Sequence, residues 1–256
     1  IYTIEDWYEI KNKGNENYKL MANLDFKNAD PKKYAGIKLY GILDGMGHTI
    51  QNMYVPSSIG RALFYDVKDN TGILNLNIKN YNVEKDKGYV GLIESGNGIK
   101  MKNVNIDTMN ITSNSSLAVG GIIGYSNYAE LEDVTLNNIN ILEKNANSCV
   151  IGGIIGKGSM DINNVYANNV NIKLENPVGS VNVGGIAGNL YSQATKICNT
   201  IINGNIEAET GNVGGMIGLG NCIIKNNIVK MNLISNGNFV GGLIGNQTNT
   251  QTEIKN

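Results

Sequence analysis

The chain is poor in the residues that most often carry chemistry. Its 256 residues include one histidine, one tryptophan, three cysteines and three prolines. With only His48, a paired-histidine zinc site and a His-Glu-x-x-His helix are excluded. Arg61 is the single arginine among 21 basic residues, which leaves little for bidentate recognition of phosphate or carboxylate. A net charge of −1 gives no electrostatic reason to bind nucleic acid. No apolar run approaches the ~20 residues of a membrane span, and no signal peptide or anchor motif is visible. The cysteines, Cys149, Cys198 and Cys222, are odd in number and fall one to a repeat. They read as buried thiols acting as small hydrophobes, not as a disulfide framework, and so leave the compartment open.

Glycine and asparagine are abundant instead. There are 32 glycines and on the order of forty asparagines, far above ordinary usage. A phrase such as Val119-Gly120-Gly121-Ile122-Ile123-Gly124 recurs with starts at residues 90, 119, 151, 183, 213 and 240. A period of about thirty residues marks a solenoid, whose repeats bury apolar faces only against their neighbours. Within one repeat, Leu131, Val134 and Leu136, then Ile139 and Ile141, alternate with polar residues, the period of a half-buried strand. Paired asparagines such as Asn137-Asn138 suit the turns, because asparagine tolerates left-handed backbone. Each repeat therefore reads as three short strands and three turns. Met101, Val104, Ile106, Met109 and Ile111 superpose on that set, as do Ile162, Val165, Ala167, Val170 and Ile172. Earlier, Ile73, Leu76, Ile78, Tyr81 and Val83 keep the spacing, with Ala62-Leu63-Phe64 where the glycine phrase would stand. Ile197 to Ile206 match Ile224 to Leu233 in a slightly different register.

The expected fold is an all-β, right-handed parallel β-helix with a short N-terminal capping helix. Residues 1–256 form one domain: a helical cap over 1–17, N-terminal coils over 18–89 and glycine-rich repeats over 90–256. Thr3 and Asp6 start a helix over 3–13, with Trp7 packed beneath it. Tyr18 to Phe26 reads as the first strand, and Leu43 to Ile50 as a strand, a tight turn containing His48, and a second strand. The last coil looks unfinished, so the chain is expected to be a fragment of a longer one. Asparagines should bond one another in ladders along the turns.

The site reading is sparse. No catalytic, cofactor-binding or metal-ligating residue is assigned. The glycine phrases lead into strands, whereas a phosphate loop needs a helix after its glycines. Glu130, Glu132 and Asp133 with Asp161, and Glu207 with Glu209, are the acid groups that a polysaccharide lyase or glycosidase would need, and they read as solvated turn charges. The line following each phrase carries Tyr125, Lys157, Asn189, Leu219 and Asn246, with Tyr128 and Tyr191 close by. Tyr125, Tyr128 and Tyr191 are the candidate ligand-binding residues, an aromatic ridge for sugar rings or a protein.

The glycine phrases are similar to the bacterial GLUG motif. Tyr2-Thr3-Ile4-Glu5-Asp6-Trp7, Tyr18-Lys19-Leu20, Leu24-Asp25-Phe26, Leu43-Asp44-Gly45, Gly47-His48-Thr49-Ile50 and Ala62-Leu63-Phe64 follow in order. Together these resemble the region preceding the catalytic domain in Gram-positive zinc metallopeptidases of the immunoglobulin A protease type. The likeness departs at Met46, where small or polar residues are usual, and at Ala62, where glycine is usual. It implies a secreted or cell wall-attached protein, with zinc in a downstream catalytic domain and no cofactor in this chain. The implied partners are a host glycoprotein, such as immunoglobulin A, or a glycan, and that catalytic domain. The alternatives are an adhesin or glycan-binding module without protease activity, and a stalk with no ligand.

Overall fold

Thr3 and Asp6 begin the helix in the manner their spacing requires. In a computed structural model, which describes all residues except 69–70, 193–194, 249–251 and 256, Thr3 Oγ1 accepts the Asp6 N–H at 3.2 Å. Asp6 Oδ2 accepts from the N–H groups of Tyr2 and Thr3 at 2.8 and 3.0 Å. This capping box opens α1, Ile4–Asn12, whose buried face is Trp7 and Ile10. The Trp7 indole N–H donates to the Tyr34 carbonyl at 3.4 Å and its ring meets Phe26 edge-on, with centroids 5.5 Å apart. A second helix, α2, Pro31–Tyr34, was not expected; four residues carry no readable periodicity. Its start is nonetheless written locally: Asp30 accepts the Lys32 N–H, and proline occupies the first turn.

Beyond this cap the chain is a parallel β-solenoid of about eight turns. The expected superpositions are the observed pairings. Met101, Val104, Ile106, Met109 and Ile111 lie beside Leu131, Val134, Leu136, Ile139 and Ile141, which in turn lie beside Ile162, Val165, Ala167, Val170 and Ile172. All are buried. The valines and isoleucines that begin the glycine phrases stack as a separate six-stranded sheet. The chain then steps across Gly121-Ile122 and rejoins the larger sheet, so that Phe64, Ile93, Ile123, Ile155, Ala187 and Ile217 form one buried column. Ile37 extends it upward, so Ala35-Gly36-Ile37 is an earlier, unrecognised counterpart of the phrase. Glycine is needed here for close approach: a Cβ on Gly153 would lie 2.1 Å from the Gly185 carbonyl oxygen.

Two strand expectations are corrected. Tyr18 to Phe26 is not one strand but two, Tyr18–Lys19 and Leu24–Asp25, separated by a corner. The three short strands of each repeat are not separate either, since strands such as Ile99–Asn114 and Ile123–Lys144 run around the corners. The reason is that a single residue in left-handed conformation turns each corner and the ladder resumes at once. Asn75, Asn103, Asp133, Asn164, Asn199 and Asn226 occupy one such corner, with φ between 49° and 55°, and Asn52, Asn80, Thr108, Asn138 and Asn169 a second. The later repeats change register because Asn203 alone stands where Asn168-Asn169 turn the earlier coil, with Gly204, at φ 147°, beside Val170.

Asparagines pair at the turns as expected, Asn103 on Asn75 and Asn169 on Asn138, and a longer ladder runs along an outward strand position. Asn110, Asn140, Asn171, Asn205 and Asn232 each donate a side-chain amide N–H to the amide oxygen one coil back, starting from Asn82. Cys149 and Cys222 are free and buried, and burial pushes the Cys222 thiol up to about 12. Cys198 is a correction: it is free but half-exposed, because it occupies an outward position beside Asn163.

Two substitutions test this account. Thr108 is β-branched at φ 62°, an uncommon pairing of side chain and backbone. Thr108→Asn should stabilise the chain by about 1 kcal/mol, read from the urea midpoint. Glu143 is fully buried; its carboxylate accepts from the Ser113 hydroxyl and, at 2.9 Å, from the Ser116 N–H. Burial raises its pKa above the ordinary value, against those hydrogen bonds. A raised folded-state pKa gives stability that is fully present below the unfolded value and is lost as pH rises through the folded one. Glu143→Gln should therefore be more stable than the parent at pH 8 and close to it at pH 4. An unchanged difference across that range would refute the linkage.

Candidate interaction surface

The column following the glycine phrases positions the outward residues. Lys38, Asp66, Ser95, Tyr125, Lys157, Asn189, Leu219 and Asn246 are successive neighbours along it, which confirms the line expected from Tyr125 onward. Tyr125 stacks on Tyr89 with ring centroids 5.0 Å apart and planes 18° apart, and its hydroxyl donates to Asn127 Oδ1 at 2.6 Å. The Lys157 ammonium lies 5.3 Å from the centre of the exposed Tyr191 ring. Tyr125 and Tyr191 thus share one strip, linked through Lys157.

Tyr128 does not join them. The chain shifts register between Ser126 and Ala129, where the buried Ser126 hydroxyl donates to the Tyr128 carbonyl at 2.6 Å. Tyr128 lines a different groove, with Lys100, Lys102, Glu130, Glu132, Asp161 and Lys196. Its phenol oxygen lies 3.2 Å from Glu130 Oε1 and 3.1 Å from Asp161 Oδ2. Desolvation, followed by the neighbouring carboxylates, holds the phenol protonated far above its ordinary pKa. Glu130, Glu132, Asp133 and Glu207, read as solvated turn charges, each have a partner one coil away. Lys100 meets Glu130 at 3.5 Å, Lys102 meets Glu132 at 2.7 Å, and Asp133 accepts the Asn164 amide at 2.6 Å. Lys173 lies 3.9 Å from Glu207. His48 is a turn residue, with its N–H on the Gly45 carbonyl and its own carbonyl accepting from Asn77.

The strip extends toward the cap through the single arginine and through residues that carry no signal of a site in the sequence. The Arg61 guanidinium lies 3.8 Å from the centre of the Tyr65 ring, Lys38 lies 5.7 Å from the same ring, and Lys68 lies 4.6 Å from that of Tyr40. Tyr40 donates its phenol proton to Asp66 Oδ2 at 2.8 Å, which, after desolvation, helps raise its pKa to about 12. Beneath them Glu94 is buried and takes Lys85 Nζ at 2.6 Å and the Ala62 N–H at 2.6 Å, with Arg61 3.7 Å away. Burial lowers the Lys85 pKa, and Glu94 opposes that shift. The available signal was Glu94 itself, which stands where the later phrases close with Gly124, Gly156, Gly188, Gly218 and Gly245.

No protein-family model and no curated protein matches the chain. Two solved structures are similar along its whole length. One is named "IgA1 Protease", with a TM-score of 0.77 and 20% identity, of which the match covers 21%. The other is a putative immunoglobulin A1 protease from Bacteroides ovatus, with a TM-score of 0.70 and 18% identity, of which 83% is covered. At these identities the likeness establishes a shared β-helical fold, and this chain spans about a fifth of the first of the two proteins.

Removing one member of the buried Lys85–Glu94 pair leaves an uncompensated charge. Glu94→Ala should cost about 3–5 kcal/mol, whereas the double change Lys85→Met with Glu94→Leu should recover most of it, as read by urea denaturation.

Proposed function

We propose that this chain is a non-catalytic β-helical module of a larger secreted or wall-attached protein of the immunoglobulin A protease type. Residues 1–256 act as one unit that holds a host glycoprotein, such as immunoglobulin A, in position for a catalytic domain elsewhere in the same protein. The observation that carries this reading is the likeness of the whole chain to about a fifth of a structure named IgA1 protease. Holding a substrate in orientation lowers the entropic cost of the catalytic encounter. A rod of about eight turns, some 35–40 Å long at the spacing of parallel strands, suits both spacing and docking.

The residues here do not fit a catalytic zinc. Among the described residues, no group of three or more His, Cys, Asp or Glu is placed to hold a metal. In this reading the zinc of such a peptidase belongs to another domain, and no chemical step is routed through this one. Among the described residues, no helix is long and apolar enough to cross a membrane.

Binding of the chain to immunoglobulin A before and after enzymatic removal of its glycans tests the role. Binding that survives deglycosylation supports docking on the protein. Binding lost with the sugars favours the adhesin reading, and no binding in either case leaves a spacer. The double substitution Tyr125→Ala with Tyr191→Ala should weaken binding at least tenfold, about 1.4 kcal/mol; unchanged affinity removes the strip from the interface.

A further inference from the structure

Side chains over the tyrosine rings give the strip a charge that the chain as a whole lacks. Lys38, Arg61, Lys68 and Lys157 each lie over a tyrosine ring along it. The carboxylates nearby are Asp66, already hydrogen-bonded by Tyr40, and Glu94, buried against Lys85. The strip is therefore positive on a protein whose net charge is −1. Its cations are also held in place. Arg61 lies between the buried Glu94 and the Tyr65 ring, with part of its fork of N–H donors facing outward. The exposed Lys68 reaches over Tyr40 and borders a groove of about 310 Å³ with Asp66, Ser95, Asn127 and Tyr125.

We infer that this strip binds an acidic sugar, a carboxylate-bearing residue at the end of a glycan. The inference rests on the reading of the chain as a glycoprotein-binding module and names the chemical class that module recognises. An acidic sugar needs three things at once: an aromatic face for its ring, a cation for its carboxylate and acceptors for its hydroxyls. The stacked Tyr125–Tyr89 pair offers the first. Lys68 offers the second. Asp66, Ser95 and Asn127 offer the third. Asp66 favours this ligand over an acidic peptide, because it accepts protons from the hydroxyls a sugar carries beside its carboxylate and an acidic peptide side chain has none to offer. The same residue, with a single arginine on the chain, disfavours a nucleic-acid backbone.

The test is calorimetric titration of the full chain with sialyllactose and, in parallel, with lactose. Sialyllactose should bind weakly, with Kd on the order of millimolar, and lactose at least tenfold more weakly. Lys68→Glu, which changes an exposed side chain, should abolish the difference without moving Tm, and Tyr125→Ala should weaken both sugars. Equal binding of the two sugars overturns the inference. So does undiminished binding by Lys68→Glu, or equal competition from a polyglutamate peptide. Immunoglobulin A provides the separation from the module reading. If it binds equally before and after enzymatic removal of its sialic acid, the sugar site fails while the module role stands. If it does not bind but sialyllactose does, the sugar site stands and the role fails.

Discussion

Everything in this molecule depends on parallel, in-register pairing of each coil with the next. At a strand spacing of roughly 4.8 Å, every outward side chain meets the side chain one coil away. The composition follows from that geometry. An asparagine amide both donates and accepts, so it is the polar side chain that stacks on copies of itself without repulsion, as the column from Asn82 to Asn232 does. Charged residues cannot repeat in this way without compensation: Lys100 lies beside Glu130 and Lys102 beside Glu132, and where Glu130 lies beside Asp161 the Tyr128 hydroxyl sits against both carboxylates. Asparagine also tolerates the left-handed backbone of the corners, so one residue type meets two requirements.

The repeat was legible because it is long and the pairing strict: five apolar positions per coil predicted the register residue by residue from Ile73 to Ile172. Legibility failed where the requirement was local or lay between coils. The helix Pro31–Tyr34 is too short for periodicity, and Ala35-Gly36-Ile37 lacks the paired glycines that marked later phrases. The merging of strands around corners depends on single left-handed residues, which look like ordinary turns in sequence. Tyr125 and Tyr128, three residues apart, suggested one ridge. The register shift after Ser126 sends them into separate grooves.

The informative surface residues are the ones that break the repeat. Where five later phrases close with glycine, Glu94 places a buried carboxylate that takes Lys85 from inside the coil and the Ala62 N–H from the previous one. It also lies within 3.7 Å of the chain's single arginine, which in turn covers Tyr65. A solenoid needs none of this for stacking, since the neighbouring coils pair without it. A buried ion pair of this kind contributes little to stability compared with apolar packing. What it gives is a fixed position for the Arg61 guanidinium.

Fixed position is what a weak ligand requires. A free lysine or arginine loses rotamer freedom when it binds, roughly 0.5–1.5 kcal/mol per immobilised side chain. Cations already laid over tyrosine rings have lost part of that freedom in the folded state, and the Tyr65 ring stands on a strand whose register is set by coils on both sides. The strip can therefore bind a small charged group with few contacts. The column from Asn82 to Asn232 is a ladder of neutral amides, and Lys100 and Lys102 are paired with Glu130 and Glu132, so these groups interact with their own neighbours first. The strip from Lys38 to Lys157 differs because its positive charges exceed the carboxylates available to them.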